Sequence, residues 1–67
     1  MNKETSRQLN FLASAGPWAN TTMSQEDARE MLLETGGNIL ARGRLYDFVL
    51  ADLGAGVYRV SLTPTHP

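Results

Sequence analysis

The sequence predicts a small α+β fold: two short helices followed by an antiparallel β-hairpin or three-stranded meander packed on the second helix. Two observations carry this prediction. Residues 24–37 hold a helix start, an apolar stripe and a Gly-Gly stop. Residues 46–62 hold two runs rich in aromatic and β-branched side chains around a short Asp- and Gly-containing segment, as in a hairpin. With 67 residues the chain makes one domain, residues 1–67.

The first helix is expected over residues 4–15, because Leu9, Leu12 and Ala13 fall on one helical face. Gly16 and a following proline end it. Trp18 then lies in a linker over residues 17–22. We expect its ring to close one end of the core; the alternative is an exposed anchor for a partner, since Trp is enriched at interface hot spots.

The second helix is expected over residues 25–35. Ser24 is a suitable N-cap, and Asp27 stands three residues later, as in a capping box with a shorter acid than usual. The inner stripe of this helix is predicted to be Ala28, Met31, Leu32 and Thr35.

A short strand is expected over residues 38–42, followed by the hairpin. Alternation places six hairpin side chains on one face, which we expect to be core: Tyr46, Phe48, Leu50, Tyr58, Val60 and Leu62. The predicted register sets Leu50 opposite Tyr58 and Phe48 opposite Val60, with Asp52 and Gly56 closing the loop. The alternative makes residues 45–53 a helix.

Composition excludes several classes of function. There is no cysteine, and hence no disulfide or thiolate site. The net charge of −1 argues against a nonspecific nucleic-acid or membrane binder. No apolar run approaches a membrane span, and residues 9–15 are too short for a signal peptide, so we expect a cytoplasmic protein.

So short a chain is expected to be marginally stable, with residues 1–4 and 64–67 frayed.

No pattern in the sequence carries catalytic chemistry. His66 is the only histidine and lies in the tail. Asp47 and Asp52 are five residues apart on one strand, so they are expected on opposite faces. The glycines match neither a P-loop nor a dinucleotide fingerprint. We therefore expect no enzyme activity, no cofactor and no metal site.

Two surfaces are candidates for binding a partner. The first, which we call the acidic ridge, is formed by Glu26, Glu30 and Glu34 with Asp27 beside them on the second helix. Leu33 lies within it as an apolar contact. The ridge is either an ordinary solvated helix face or the surface that meets a basic partner.

The second surface is the other face of the hairpin. Its residues are Leu45, Val49, Ala51 and Val57 among Asp47, Arg59, Ser61 and Thr63. Either the first helix covers this half-apolar face or it is a contact surface.

The function expected is therefore a non-enzymatic protein-binding module, a small regulator or inhibitor of a larger complex. Phage and mobile-element inhibitors, including anti-CRISPR proteins, are similar in being small, acidic and without recognisable motifs. The candidate partner-binding residues are Glu26, Asp27, Glu30, Glu34, Leu33, Trp18, Val49 and Arg59. The partner is expected to be a protein, with a basic or nucleic-acid-binding surface, and a homodimer is also open.

Two alternatives stay open. One is a compact nucleic-acid binder that uses Arg42, Arg44 and Arg59 on the sheet, with Tyr46 or Tyr58 stacking on bases. The other is a structural subunit that completes an assembly by strand addition.

Overall fold

The computed structural model describes residues 1–66 and shows two helices and a four-stranded antiparallel sheet, which confirms the α+β class. The strand order is β1-β4-β3-β2. In chain order the elements are α1 (Lys3–Ala15), β1 (Asn20–Ser24), α2 (Gln25–Thr35), β2 (Asn38–Ala41), β3 (Arg44–Gly54) and β4 (Val57–Pro64).

Both helices begin at a side-chain cap. The Asn2 side-chain oxygen accepts a hydrogen bond from the Thr5 amide at 2.7 Å and starts α1. Ser24 Oγ accepts from the Asp27 amide at 3.1 Å and starts α2, as the capping-box pattern predicted. At the end of α2, Gly36 adopts the left-handed conformation with φ +73°, which glycine reaches without strain.

The number of strands was predicted wrongly, because residues 20–24 form a strand and not a linker. β1 is an edge strand that pairs with β4 from Asn20 opposite Ser61 to Ser24 opposite Val57. Only Met23 of its five residues is both apolar and buried. So short and polar a segment has no detectable apolar alternation, and its conformation comes from pairing with β4.

The hairpin is formed by β3 and β4, so the alternative helix over residues 45–53 is wrong. The predicted register was wrong by two residues, since Leu50 lies opposite Val60 and Phe48 opposite Leu62. Two features shift it. Ala55 and Gly56, both at positive φ, make a two-residue turn, and a bulge lies between Asp52 and Gly54. A shift of two preserves the face, so the predicted side chains do point to one side.

Both helices pack on this inner face of the sheet, and the core lies between the two layers. Leu12, Met31 and Val60 are completely buried there. The other buried apolar residues are Met23, Ala28, Ala41, Tyr46 and Leu62, while Phe48, Leu50 and Tyr58 are partly buried against them.

Trp18 is 94% exposed, so the prediction that its ring closes the core is wrong. The Ala19 amide donates to the Gly16 carbonyl at 3.2 Å and closes a tight turn. Trp18 lies within this turn and outside the helix layer, and the core is filled without it.

Met1 and Thr65 contact the rest of the fold, and the fraying expected of residues 1–4 and 64–67 stays a prediction. Residue 67 lies outside the described residues. The Met1 amine contacts two carboxylates of α2, Glu30 and Glu34. Near the other end, the Thr65 amide donates to the Leu45 carbonyl at 3.0 Å, and Thr65 Oγ1 donates to Asp47 Oδ1 at 3.0 Å.

Candidate protein-binding surfaces

A groove separates α2 from the β3–β4 hairpin, and we call it the helix–hairpin groove. It has a volume of about 380 Å³. The apolar part of its lining comes from Ala28, Leu32, Leu33, Leu50 and Tyr58, and Gln25 and Arg29 complete it. Leu33 is the most exposed of these apolar side chains, at 78%. An apolar side chain of this size so open to water, beside a groove with an apolar lining, is typical of a contact site.

A second depression continues the groove over the outer side of α2. It is lined by Gln25, Glu26, Arg29, Glu30 and Leu33, of which Gln25, Arg29 and Leu33 also line the helix–hairpin groove. The helix period explains this arrangement, because residues 26, 29, 30 and 33 share one side of a helix. The surface therefore passes from an apolar region beside the hairpin to an acidic one.

Three of the four carboxylates of the acidic ridge contact Met1 or Asn2 of the same chain. Glu30 Oε1 lies 2.8 Å and Glu34 Oε2 2.6 Å from the Met1 amine. The hydrogen bonds that the amine donates to these two carboxylates raise its pKa above the usual 8.0. Asp27 Oδ1 accepts from Asn2 Nδ2 at 3.1 Å. The start of α1 thus offsets the like-charge repulsion along α2.

Glu26 differs from the other three acids of the ridge. It is exposed, lines the outer depression, and makes no ion pair among residues 1–66. Within the ridge it is the carboxylate whose charge is most available to a partner.

The second face of the sheet is uncovered, so the alternative in which the first helix covers it is wrong. Along β3 and β4, Leu45, Val49 and Val57 are 41%, 45% and 37% exposed, and Arg59 is exposed beside them. Both helices lie on the opposite side, where Leu12 and Met31 join the core. We call this uncovered surface the open face.

Sequence reasoning missed Leu40 as part of the open face. This side chain is 72% exposed and lies directly opposite Leu45. The sequence signal was Gly43, because a glycine directly after a short apolar run marks a tight turn; in the structure both Arg42 and Gly43 have positive φ. Counting back from a two-residue turn of this kind pairs residue 40 with residue 45 and places both on one face.

The residues of the nucleic-acid alternative are not brought together. Tyr46 is 7% exposed and packs under the helices, so its ring is not available for stacking. Arg59 points to the open face, opposite Ala51, and Arg44 pairs with Ala41 near the far end of β3. Seven residues of strand separate residues 44 and 51, which is about 23 Å.

The edge of the sheet at β1 is partly occupied by α1. Gln8 Nε2 donates to the Thr22 carbonyl at 2.6 Å and to Thr21 Oγ1 at 3.1 Å. A strand added at this edge would compete with these bonds.

The predicted partner-binding residues therefore fall on three separate surfaces. Glu26, Leu33 and the rest of the acidic ridge lie on α2, and Val49 and Arg59 lie on the open face. Trp18 lies in the turn between α1 and β1 and does not line the helix–hairpin groove.

Three further findings bear on the function. Among residues 1–66, no three His, Cys, Asp or Glu side chains are grouped so that they could hold a metal ion. Neither of the helices described is long and apolar enough to cross a membrane. No family model, curated protein or solved structure matches the chain.

Proposed function

We propose that this protein is a non-enzymatic protein-binding module, a small regulator or inhibitor that receives its partner in the helix–hairpin groove. The observation that carries the proposal is Leu33. This side chain is 78% exposed on α2 and borders a groove whose lining includes Leu50 and Tyr58. What favours a partner is the combination of this exposed side chain with an apolar groove beside it, because an interface needs an apolar anchor and a pocket.

The groove is rigid enough to recognise a partner. α2 is held at its start by the Ser24 cap and by a hydrogen bond from the Gln25 amide to the Gly56 carbonyl at 2.8 Å. That second bond ties the first residue of the helix to the turn of the hairpin. The two walls of the groove are therefore fixed relative to each other, which lowers the entropy cost of binding.

The partner chemistry follows from the charges beside the groove. α2 carries Glu26, Asp27, Glu30 and Glu34 against one cation, Arg29. Met1 balances part of this charge, but Glu26 is left without an ion pair in the part of the chain described. An amphipathic segment that places apolar side chains in the groove and Lys or Arg beside Glu26 matches this surface.

Site-specific photo-crosslinking in cell extract would identify the partner. A photoreactive amino acid at position 33 should capture one protein, and the same residue at Asn10, exposed on α1, should not. Leu33→Asp should then weaken binding of the purified partner by about tenfold or more, because it places a charge at an apolar contact.

Leu40→Asp is the matched control, since Leu40 is also a highly exposed leucine but lies on the open face. It should leave the partner's affinity unchanged. Glu26→Lys should slow association, and the wild-type on-rate should fall as salt rises. Equal affinities for the two leucine variants, with salt-independent on-rates, would rule out the groove as the binding site.

A further inference from the structure

The strands of the open face carry one cation, Arg59, and one anion, Asp47, among apolar and small polar side chains. Asp47 lies opposite Thr63, Val49 opposite Ser61, and Arg59 opposite Ala51. Neither charged side chain has an ion-pair partner within residues 1–66. Asp47 is held in place by the hydrogen bond from Thr65 Oγ1.

The two charges are placed symmetrically about the Val49–Ser61 pair. Asp47 and Ala51 lie two residues to either side of Val49 on β3, and Arg59 is the cross-strand neighbour of Ala51. Each charge is therefore about 7 Å from the central pair along the strands, in opposite directions.

This pattern is complementary to itself. A two-fold axis in the plane of the face, running across the strands through Val49 and Ser61, would stack two copies with their open faces together. It would place Asp47 of one copy above Ala51 of the other, next to Arg59, and would do so twice. Val49 would meet its own copy on the axis, and Val57 would approach Leu45. Where β3 and β4 overlap their copies, apolar side chains would meet apolar ones, and each charge would meet its opposite.

We infer that the open face is the interface of a homodimer, with its two sheets packed face to face and two reciprocal Asp47–Arg59 ion pairs. The helices of each copy then form the outer layers. The inference goes beyond the proposed function, because the helix–hairpin groove lies on the opposite side of the sheet and stays accessible in the dimer.

The size of the face sets the strength expected of this dimer. β1 and β2 each extend to one side of the axis, so mainly β3 and β4 overlap their copies. Two strands about 4.8 Å apart, with the eight residues of β4, span roughly 250 Å². A standard interface covers about 800 Å² per partner, so the dimer should be a reversible one with micromolar or weaker affinity.

Charge reversal gives a test that folding defects cannot imitate. Sedimentation velocity over a concentration series should show dimers of the wild type. Asp47→Arg and Arg59→Asp should each weaken dimerisation by about tenfold or more, because like charges would meet across the axis. Mixing the two variants should restore dimers as a mixed pair, and the double variant Asp47→Arg/Arg59→Asp should dimerise by itself.

Two controls isolate the ion pair. Thr65→Ala removes the hydrogen bond to Asp47 within one copy and should retain dimers. Leu33→Asp, in the groove, should also retain them, which separates this test from that of the proposed function. The inference is overturned if the wild type stays monomeric up to millimolar concentration, or if both single variants dimerise as well as the wild type.

Discussion

The two faces of the β3–β4 hairpin differ sharply in how far their side chains are buried. Val60 of β4 points to the helices and is completely buried, whereas Val49 of the neighbouring strand points away from them and is 45% exposed. Both faces belong to the same two strands, so backbone conformation does not cause the difference in burial. The difference lies in where the two helices are secured.

Direct contacts hold both helices on the inner side of the sheet. α2 follows β1 without a loop, since Ser24 ends the strand and caps the helix. Gln8 of α1 bonds to β1, and the Met1 amine joins the start of α1 to α2. Pleating decides which residues share a face, and the helices cover the more apolar of the two faces, where these contacts hold them.

The strongest test of this comparison uses one substitution on each face. Val60→Ala should lower the free energy of unfolding by about 2–3 kcal/mol, because it removes two methyl groups from a packed core and leaves a cavity. Val49→Ala should cost less than about 1 kcal/mol, since its side chain is already half in water when the monomer is folded. Urea unfolding at low protein concentration, where the monomer predominates, would measure both values. Equal losses would mean that the open face is covered in solution.

The features that were predicted correctly from the sequence are those set by residues close together along the chain. Both helices, the Ser24 cap and the set of side chains on the inner face of the hairpin follow from spacing and capping rules, and the structure agrees with each. The register was missed because the φ of Ala55 is +53°, a conformation uncommon for alanine that composition does not reveal.

The surfaces were harder to predict than the fold. Nothing in the sequence shows that the Met1 amine would lie 2.8 Å from Glu30, because that contact joins residues far apart along the chain. The strand β1 was missed for a related reason, because its pairing partner β4 is more than thirty residues away in sequence. Long-range pairing therefore determines which candidate residues remain accessible.

The second prediction tests how firmly α2 covers the inner face. Ser24→Ala removes the oxygen that accepts from the Asp27 amide, and should lower the free energy of unfolding by about 1 kcal/mol. Ser14→Ala, on the exposed side of α1, is the matched control and should be neutral or slightly stabilising, because alanine favours helix. Thermal melts of both variants would decide; an unchanged midpoint for Ser24→Ala would show that the cap does not hold the helix.

The third prediction concerns the polar residue in the inner layer. Thr5 is 1% exposed, and its hydroxyl has no hydrogen-bond partner among the residues described. Thr5→Val keeps the shape and removes the unsatisfied hydroxyl, so it should raise the free energy of unfolding by roughly 1 kcal/mol. Thr35→Val should act in the opposite direction, since the Thr35 hydroxyl donates to the Met31 carbonyl at 2.7 Å. Chemical denaturation of the pair would test the sign, and destabilisation by Thr5→Val would show that its hydroxyl is satisfied in solution.

The smallest effect expected is the pH dependence of the contact that joins α1 to α2. The carboxylates of Glu30 and Glu34 raise the pKa of the Met1 amine above 8.0 in the folded protein. Because the folded pKa is higher than the unfolded one, this contribution to stability is complete below about pH 8 and is lost as the pH rises through the folded pKa. Unfolding curves between pH 7 and pH 10 should therefore show a loss of stability that the double variant Glu30→Gln/Glu34→Gln lacks. The other titrating groups are common to both proteins, so the difference between their curves isolates the amine. Parallel curves would mean that the helix layer is held over the inner face without this ion pair, and that Glu30 and Glu34 are as free as Glu26 to meet a partner.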